Sequence, residues 1–277
     1  MTGSYLFNYE SYYNGLMTDF GLSYPYFSQS FLSIISTIMY QPQNNYTNSY
    51  NPRVSALSFP AVMQKVYVWM TLALVMTGLT SYAVASSGLT ISLLGPGNGT
   101  MLWVLMAVEV ALVWFLSARI AKMSFITAGL LFALYAILNG VTLSVIFYAY
   151  SMDAIFKAFL TTAGTFGAMS FVGLFIKKDL SMLGRVLSMA VIGLIIALVV
   201  NMFWANSTFD LLISLAGVVI FTGLTAYDTQ KIKYLVTQYS HMDEESTMKV
   251  ALMGSLTLYL DFINLFLYLL RLFGRRR

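Results

Sequence analysis

The sequence predicts an all-α integral membrane protein that crosses the bilayer seven times. Of its 277 residues, 58% are hydrophobic and only 9% are charged, whereas soluble domains carry about 25% charged residues. From Val66 onward, seven apolar runs follow one another, each long enough for a helix to cross a hydrocarbon core of about 30 Å. So little polar surface excludes a cytosolic enzyme, a nucleic-acid reader and a secreted disulfide scaffold.

Residues 1–59 differ from the rest of the chain. They are rich in Tyr, Asn and Ser, and their only charges are Glu10, Asp19 and Arg53. The apolar block at residues 31–40 is about half the length that a spanning helix needs. We expect a disordered cytoplasmic tail that acts as an unselective tether or, given this composition, supports weak self-association.

The apolar runs divide residues 60–272 into the predicted transmembrane domain. The pattern favours helices over barrel strands, because barrel strands alternate in polarity, whereas these runs are apolar all round. The predicted helices are 66–85, 101–118, 125–150, 154–176, 186–205, 211–228 and 250–270.

Basic residues predict the orientation. Lys157 lies within a turn of a helix end, where its side chain can reach the interface. The other basic residues up to the last helix fall on one side of the predicted membrane, so the positive-inside rule puts the N-terminus in the cytoplasm. They are Arg53, Lys65, Arg119, Lys122, Lys177, Lys178, Arg185, Lys231, Lys233 and Lys249.

The C-terminus conflicts with this orientation. Seven crossings leave a basic tail, residues 273–277, and Arg271 on the opposite side. A re-entrant last segment would return them to the cytoplasm, but residues 261–264 contain no Gly or Pro to make the turn. We therefore predict seven crossings.

Buried ionisable groups are the candidate functional residues. A carboxylate at a helix centre costs roughly 2.5–3.5 kcal/mol on insertion scales. Asp261 shares one helical face with Gly254, Thr257, Asn264 and Tyr268, so this polar stripe should point into the bundle. The alternative is a hydrogen-bonded structural aspartate.

Asp228 closes the sixth run, and the midpoint between Asp228 and Asp261 falls in the polar segment HMDEE, residues 241–245. An antiparallel hairpin turning there would bring both carboxyl groups to similar heights. Two close carboxylates share one proton and titrate as a unit, which could act as a latch between helices. The alternative for Asp228 is a helix cap or an interfacial charge.

Glu109 lies in the middle of the second run, about 15 Å along the helix axis from Arg119. A buried carboxylate can serve as a calcium ligand, or it can be a satisfied polar group. Arg119 is either a cytoplasmic anchor or a counter-charge to the aspartates. With no cysteine and one histidine, His241, the chain offers no thiol or histidine-rich metal site, and we expect no cofactor.

Three stretches resemble the signatures of the Bax inhibitor-1 (TMBIM) family, bacterial branch: residues 162–184, 223–233 and 255–272. The resemblance implies a seven-helix bundle with the last helix at its centre, and a pH-dependent calcium leak. It implies that Asp228 and Asp261 form the pH-sensing pair and that Glu109 and Arg119 match the acidic and basic residues of the second helix. Thr257 and Asn264 would then support Asp261 by hydrogen bonding.

Other function classes stay open or are excluded. A non-transporting regulator that binds another membrane protein, such as a quality-control protease or a cell-death factor, is the main alternative to a leak. An intramembrane aspartyl protease needs Gly-x-Gly-Asp, whereas residues 258–260 are Leu-Tyr-Leu. A retinal protein is excluded because residues 250–270 contain no Lys. The branch implies a bacterial plasma membrane, with calcium ions, protons and lipid as partners and no nucleic acid.

Overall fold

The fold is an all-α bundle in a computed structural model that describes residues 59–94, 99–204, 207–239 and 244–274. The predicted tail therefore lies outside the described residues except for Phe59, as do residues 241–243 of the HMDEE segment and the last three arginines. The described helices are α1 (Phe59–Ser86), α2 (Leu89–Leu94), α3 (Gly99–Arg119), α4 (Phe125–Leu143), α5 (Ile146–Ala149), α6 (Met152–Phe175), α7 (Ser181–Phe203), α8 (Ser207–Tyr239) and α9 (Glu244–Phe273), with a 3-10 turn at Ile120–Lys122.

Seven helices in the described ranges are long and apolar enough to cross a membrane: α1, α3, α4, α6, α7, α8 and α9. The predicted number and order of spans are confirmed. The helices extend beyond the apolar runs, most clearly in α8, which continues from Asp228 to Tyr239. Backbone hydrogen bonding extends a helix into polar sequence once packing has fixed its first turns.

Local signals set several helix ends. The Ser124 and Ser151 side chains accept hydrogen bonds from the Thr127 and Ala154 amides, as N-cap serines do. Gly88 follows α1 with a φ of 75°, a left-handed conformation that other residues adopt at a cost. This turn lets the chain start α2 directly.

The last helix, α9, is the centre of the bundle. In its most apolar stretch 89% of the residues are buried, against 22–50% in the other six spans. It packs against α8, α1, α6 and α4, so little of its surface is left exposed. α9 runs unbroken through residues 261–264, so the re-entrant alternative does not occur.

Glycines allow the closest helix contacts. A Cβ at Gly173 in α6 would overlap the Ala226 carbonyl oxygen of α8, and one at Gly217 in α8 would lie 2.5 Å from Cδ1 of Tyr268 in α9. Small residues permit such backbone approach in membrane helices. They bring α8 close to both α6 and α9, and so bring Asp228 to the bundle interior.

Candidate functional site

Asp228 in α8 and Asp261 in α9 face each other inside the bundle. Each residue is only 1% exposed, and each carboxyl group lies close enough to act directly on the other. The extension of α8 past the apolar run produces this pairing, because α8 and α9 pack against each other as antiparallel helices, with Gly217 near Tyr268 at one end and Ile232 near Gly254 at the other.

The surroundings leave the pair short of hydrogen-bond donors. Within the described part of the chain, no group other than the partner carboxyl group hydrogen-bonds to either oxygen of Asp228 or to Oδ2 of Asp261. Buried carboxylates without donors carry a desolvation penalty of several kcal/mol each. A single proton held between the two groups would supply the missing donor and remove one charge.

Lys231 supplies a positive charge to this site. It lies less than one helical turn after Asp228 and acts on both carboxyl groups. Its Nζ also lies 5.9 Å from the centroid of the Tyr227 ring. One cation beside two acids favours a pair that carries one negative charge in total.

Thr257 and Asn264 bond to the backbone of their own helix. Thr257 Oγ1 donates to the Met253 carbonyl at 3.2 Å, and Asn264 Nδ2 donates to the Leu260 carbonyl at 2.8 Å. These bonds hold the two side chains against the backbone of α9. Their support of Asp261 stays a prediction.

Glu109 lies on the other side of α9. It is fully buried and accepts a hydrogen bond from Thr142 of α4, and its charge acts on Tyr259 of α9. Tyr259 and Asp261 are two positions apart, which turns their side chains about 200° from each other around the helix. The structure therefore separates Glu109 from the aspartate pair by the width of the central helix.

A polar cluster that sequence reasoning missed surrounds Tyr259. The Tyr259 hydroxyl and Thr77 Oγ1 of α1 lie 2.7 Å apart, and Thr77 donates to the Ala136 carbonyl at 2.9 Å. In α4, Asn139 Nδ2 donates to the Tyr135 hydroxyl at 3.3 Å. The spacing of residues 135, 139 and 142 puts them on one face of α4, which was an available signal.

Arg119 is exposed at the end of α3, where the 3-10 turn that follows it contacts α9. In this structure the cation that acts on the aspartate pair is Lys231. The role of Arg119 as a counter-charge therefore stays a prediction.

Gln230 of α8 holds the connection between α6 and α7 by two hydrogen bonds, close to the aspartate pair. Its side chain donates to the Lys178 carbonyl and accepts from the Leu180 amide, both at 2.9 Å. One turn on, Lys233 Nζ donates to the Leu174 carbonyl at 2.6 Å. Sequence reasoning missed Gln230. Its position was an available signal, because it lies two residues after Asp228 on a helix that must stay buried if the hairpin is to form.

A buried ion pair closes the opposite end of α8 and α9. Arg271 bonds Asp210, with side chains 3% and 19% exposed, and Asn201 Nδ2 of α7 donates to the same Asp210 oxygen at 3.0 Å. Arg271 is therefore part of the bundle and not of a free basic tail. Its position on the side opposite the lysines is explained by this partner.

In the described ranges, no three acidic or histidine side chains come together as a group that could hold a metal ion. The aspartate pair offers two carboxyl groups, and Glu109 offers a third at a separate place. The arrangement can exchange a proton at a helix–helix interface and can meet a cation with carboxylate oxygens.

Comparison with known proteins gives consistent matches over the bundle. The sequence profile of the family described as "Inhibitor of apoptosis-promoting Bax1" matches residues 60–277. The inner membrane protein YbhL of Escherichia coli is 45% identical over 215 residues, which cover 78% of this chain and 92% of the relative. A Borreliella burgdorferi protein is 43% identical over 215 residues, with the same coverage. A Deinococcus radiodurans protein is 42% identical over 215 residues, or 77% of this chain and 90% of the relative. The profile match contains Glu109, Asp228 and Asp261.

Proposed function

The chain belongs to the Bax inhibitor-1 family, and from this premise we propose that it is a pH-sensitive calcium leak gated by a proton shared between Asp228 and Asp261. The observation that carries the proposal is the pair itself: two buried carboxyl groups on facing helices, short of donors, beside one lysine. The family membership supports a membrane function, and the buried aspartate pair supports the gating by a proton.

The gating follows from the charge of the pair. With one proton, one carboxyl group donates to the other and holds α8 against α9. When that proton leaves, two negative charges face each other where water is scarce, and their repulsion favours separation of the helices or entry of water and cations. We therefore propose that flux rises as the pH rises through the loss of this proton.

Glu109 is proposed to lie in or near the ion path. Its Oε2 accepts no hydrogen bond from the described residues, so it is available to a passing cation, as calcium prefers hard oxygen ligands. Arg119 is proposed as a counter-charge in another state of the gate, and Thr257 and Asn264 as hydrogen-bonding support for Asp261.

The location is proposed as the inner membrane of a bacterium, with the N-terminus in the cytoplasm. Two arguments support it: the relative in Escherichia coli is named as an inner membrane protein, and the lysines and arginines at one end of the bundle fit the positive-inside rule. Calcium ions, protons and the lipid bilayer are then the partners of the protein. No enzymatic activity is proposed.

A second proposal is a regulator that binds another membrane protein and transports nothing. Its support is the family's description as an inhibitor of a protein, and docking through the tail would use residues outside the matched region. Calcium entry into liposomes that contain the purified chain separates the two proposals. Entry above that of empty liposomes, unchanged after deletion of residues 1–58, supports the leak, and no entry at any pH overturns it.

A further inference from the structure

An apolar cavity of about 320 Å³ opens on the flank of the bundle. One wall is formed by residues 74–82 of α1 and the other by residues 152–159 of α6, with the end of α4 behind them. The floor consists of Phe262, Ile263 and Phe266, so the central helix is reached from outside at this place.

The opening faces the interior of a membrane. Its walls and floor lie within helices that are long and apolar enough to span the bilayer. Beside the opening, Leu79 and Phe156 are exposed, and within a membrane-spanning bundle such side chains meet hydrocarbon. The molecules that surround the opening are therefore lipid acyl chains.

A polar group in the wall indicates which kind of lipid fits. Ser81 is 3% exposed, and its hydroxyl has no hydrogen-bond partner among the residues that the structure describes. Buried hydroxyls are nearly always bonded. Ser81 lies near the end of α1, at the level where the ester carbonyl of a membrane phospholipid can accept a hydrogen bond.

We propose that this cavity is a lipid-binding site that holds one acyl chain of a glycerophospholipid. When the side chain of Ser81 turns into the cavity that it lines, its hydroxyl donates a hydrogen bond to the ester carbonyl of the lipid, and the hydrocarbon chain lies along α9 over Phe262 and Phe266. The volume falls in the range of small-ligand pockets, about 300–1,000 Å³. This site is independent of whether the protein conducts calcium.

The test is photochemical labelling of the full chain in phosphatidylcholine vesicles that contain a phospholipid with a diazirine on its acyl chain. Labelled peptides are then identified by mass spectrometry. We expect label on residues 262–266, in a helix that is otherwise buried, as well as on the lipid-facing sides of α6 and α7. Label on α6 and α7 with none on residues 262–266 would overturn the proposal.

Two matched variants sharpen this test. Apart from the chain neighbours and the nearby backbone of the same helix, no atom lies within 4 Å of a Cβ built at Gly78 or at Gly193. Gly78 lines the cavity, so Gly78→Trp should fill it and reduce the label on residues 262–266 several-fold. Gly193→Trp, on an exposed face of α7, should leave that label unchanged. Equal labelling in both variants would contradict the site, and Ser81→Ala should weaken retention of the lipid in detergent.

The other possible occupant is a second copy of the chain. Because the chain contains no cysteine, single Gly78→Cys and Gly193→Cys variants report contacts between copies. We expect neither to form a disulfide-linked dimer in vesicles. A dimer formed by Gly78→Cys alone would assign the cavity to a protein interface and overturn the lipid proposal.

Discussion

Tyr259 and Asp261 point to opposite sides of α9 although a single residue separates them. The Tyr259 hydroxyl meets Thr77 of α1 at 2.7 Å, whereas the Asp261 carboxyl group meets Asp228 of α8. The central helix thus divides two buried polar regions, one that contains Glu109 and one that contains the aspartate pair. Substitutions in the two regions should have different effects.

The first prediction separates conduction from gating. Glu109→Gln should lower calcium flux into proteoliposomes at every pH and leave the pH midpoint unchanged, because Glu109 lies across α9 from the pair. Asp153→Asn, at an exposed residue paired with Lys157, should alter neither quantity. Loss of the pH response in Glu109→Gln would show that the two regions are coupled.

The second prediction concerns the hydrogen bond between Thr77 and Tyr259. Thr77→Val should destabilise the protein by about 1–3 kcal/mol, because a buried hydroxyl loses its partner. The thermal unfolding midpoint in detergent measures this effect. Thr161→Val is the control, since Thr161 is exposed and donates to the Lys157 carbonyl of its own helix at 2.8 Å. Equal shifts in both variants would contradict the assignment.

The third prediction concerns the ion pair between Arg271 and Asp210. Arg271→Met should destabilise the bundle by roughly 3–5 kcal/mol, because it leaves a largely buried carboxylate without its cation. Lys157→Met breaks a pair whose side chains are 63% and 73% exposed, and it should cost only about 0–1 kcal/mol. Chemical unfolding in detergent compares the two, and a similar loss in both would argue against a structural role for the buried pair.

The fourth prediction concerns Gln230. Gln230→Leu should release the α6–α7 connection, because both hydrogen bonds to it are lost, and trypsin should then cut after Lys177 or Lys178 several-fold faster. Gln238→Leu, at an exposed position of the same helix, should leave the cutting rate unchanged. Unchanged cutting in both variants would mean that Lys233 holds the connection without Gln230.

The sequence was sufficient to predict the seven helices, and it made a pairing of Asp228 with Asp261 possible without requiring it. The helices follow from apolar length, and the meeting follows from hairpin symmetry about residues 241–245, because antiparallel neighbours are close along the chain. Both inferences need only the pattern of apolar residues along the chain and the position of one turn between the last two helices.

Contacts between distant helices were beyond the reach of the sequence. The Thr77–Tyr259 contact joins the first helix to the last, and tyrosine is counted among apolar residues, so neither side chain stood out. The Arg271–Asp210 pair could not be predicted, because the positive-inside rule treats each arginine near a helix end as exposed to solvent. Only the packing of α7, α8 and α9 shows that Arg271 has an internal partner.

The most direct test of the latch is calcium flux from about pH 5 to about pH 8 in wild type, Asp261→Asn and Asp228→Asn, with Asp153→Asn as the control. An asparagine at either position donates to the remaining carboxyl group at every pH and imitates the singly protonated pair. We predict flux that rises with pH in wild type and in the control, and low, pH-independent flux in both pair variants. A wild-type pH response in both pair variants would contradict the account.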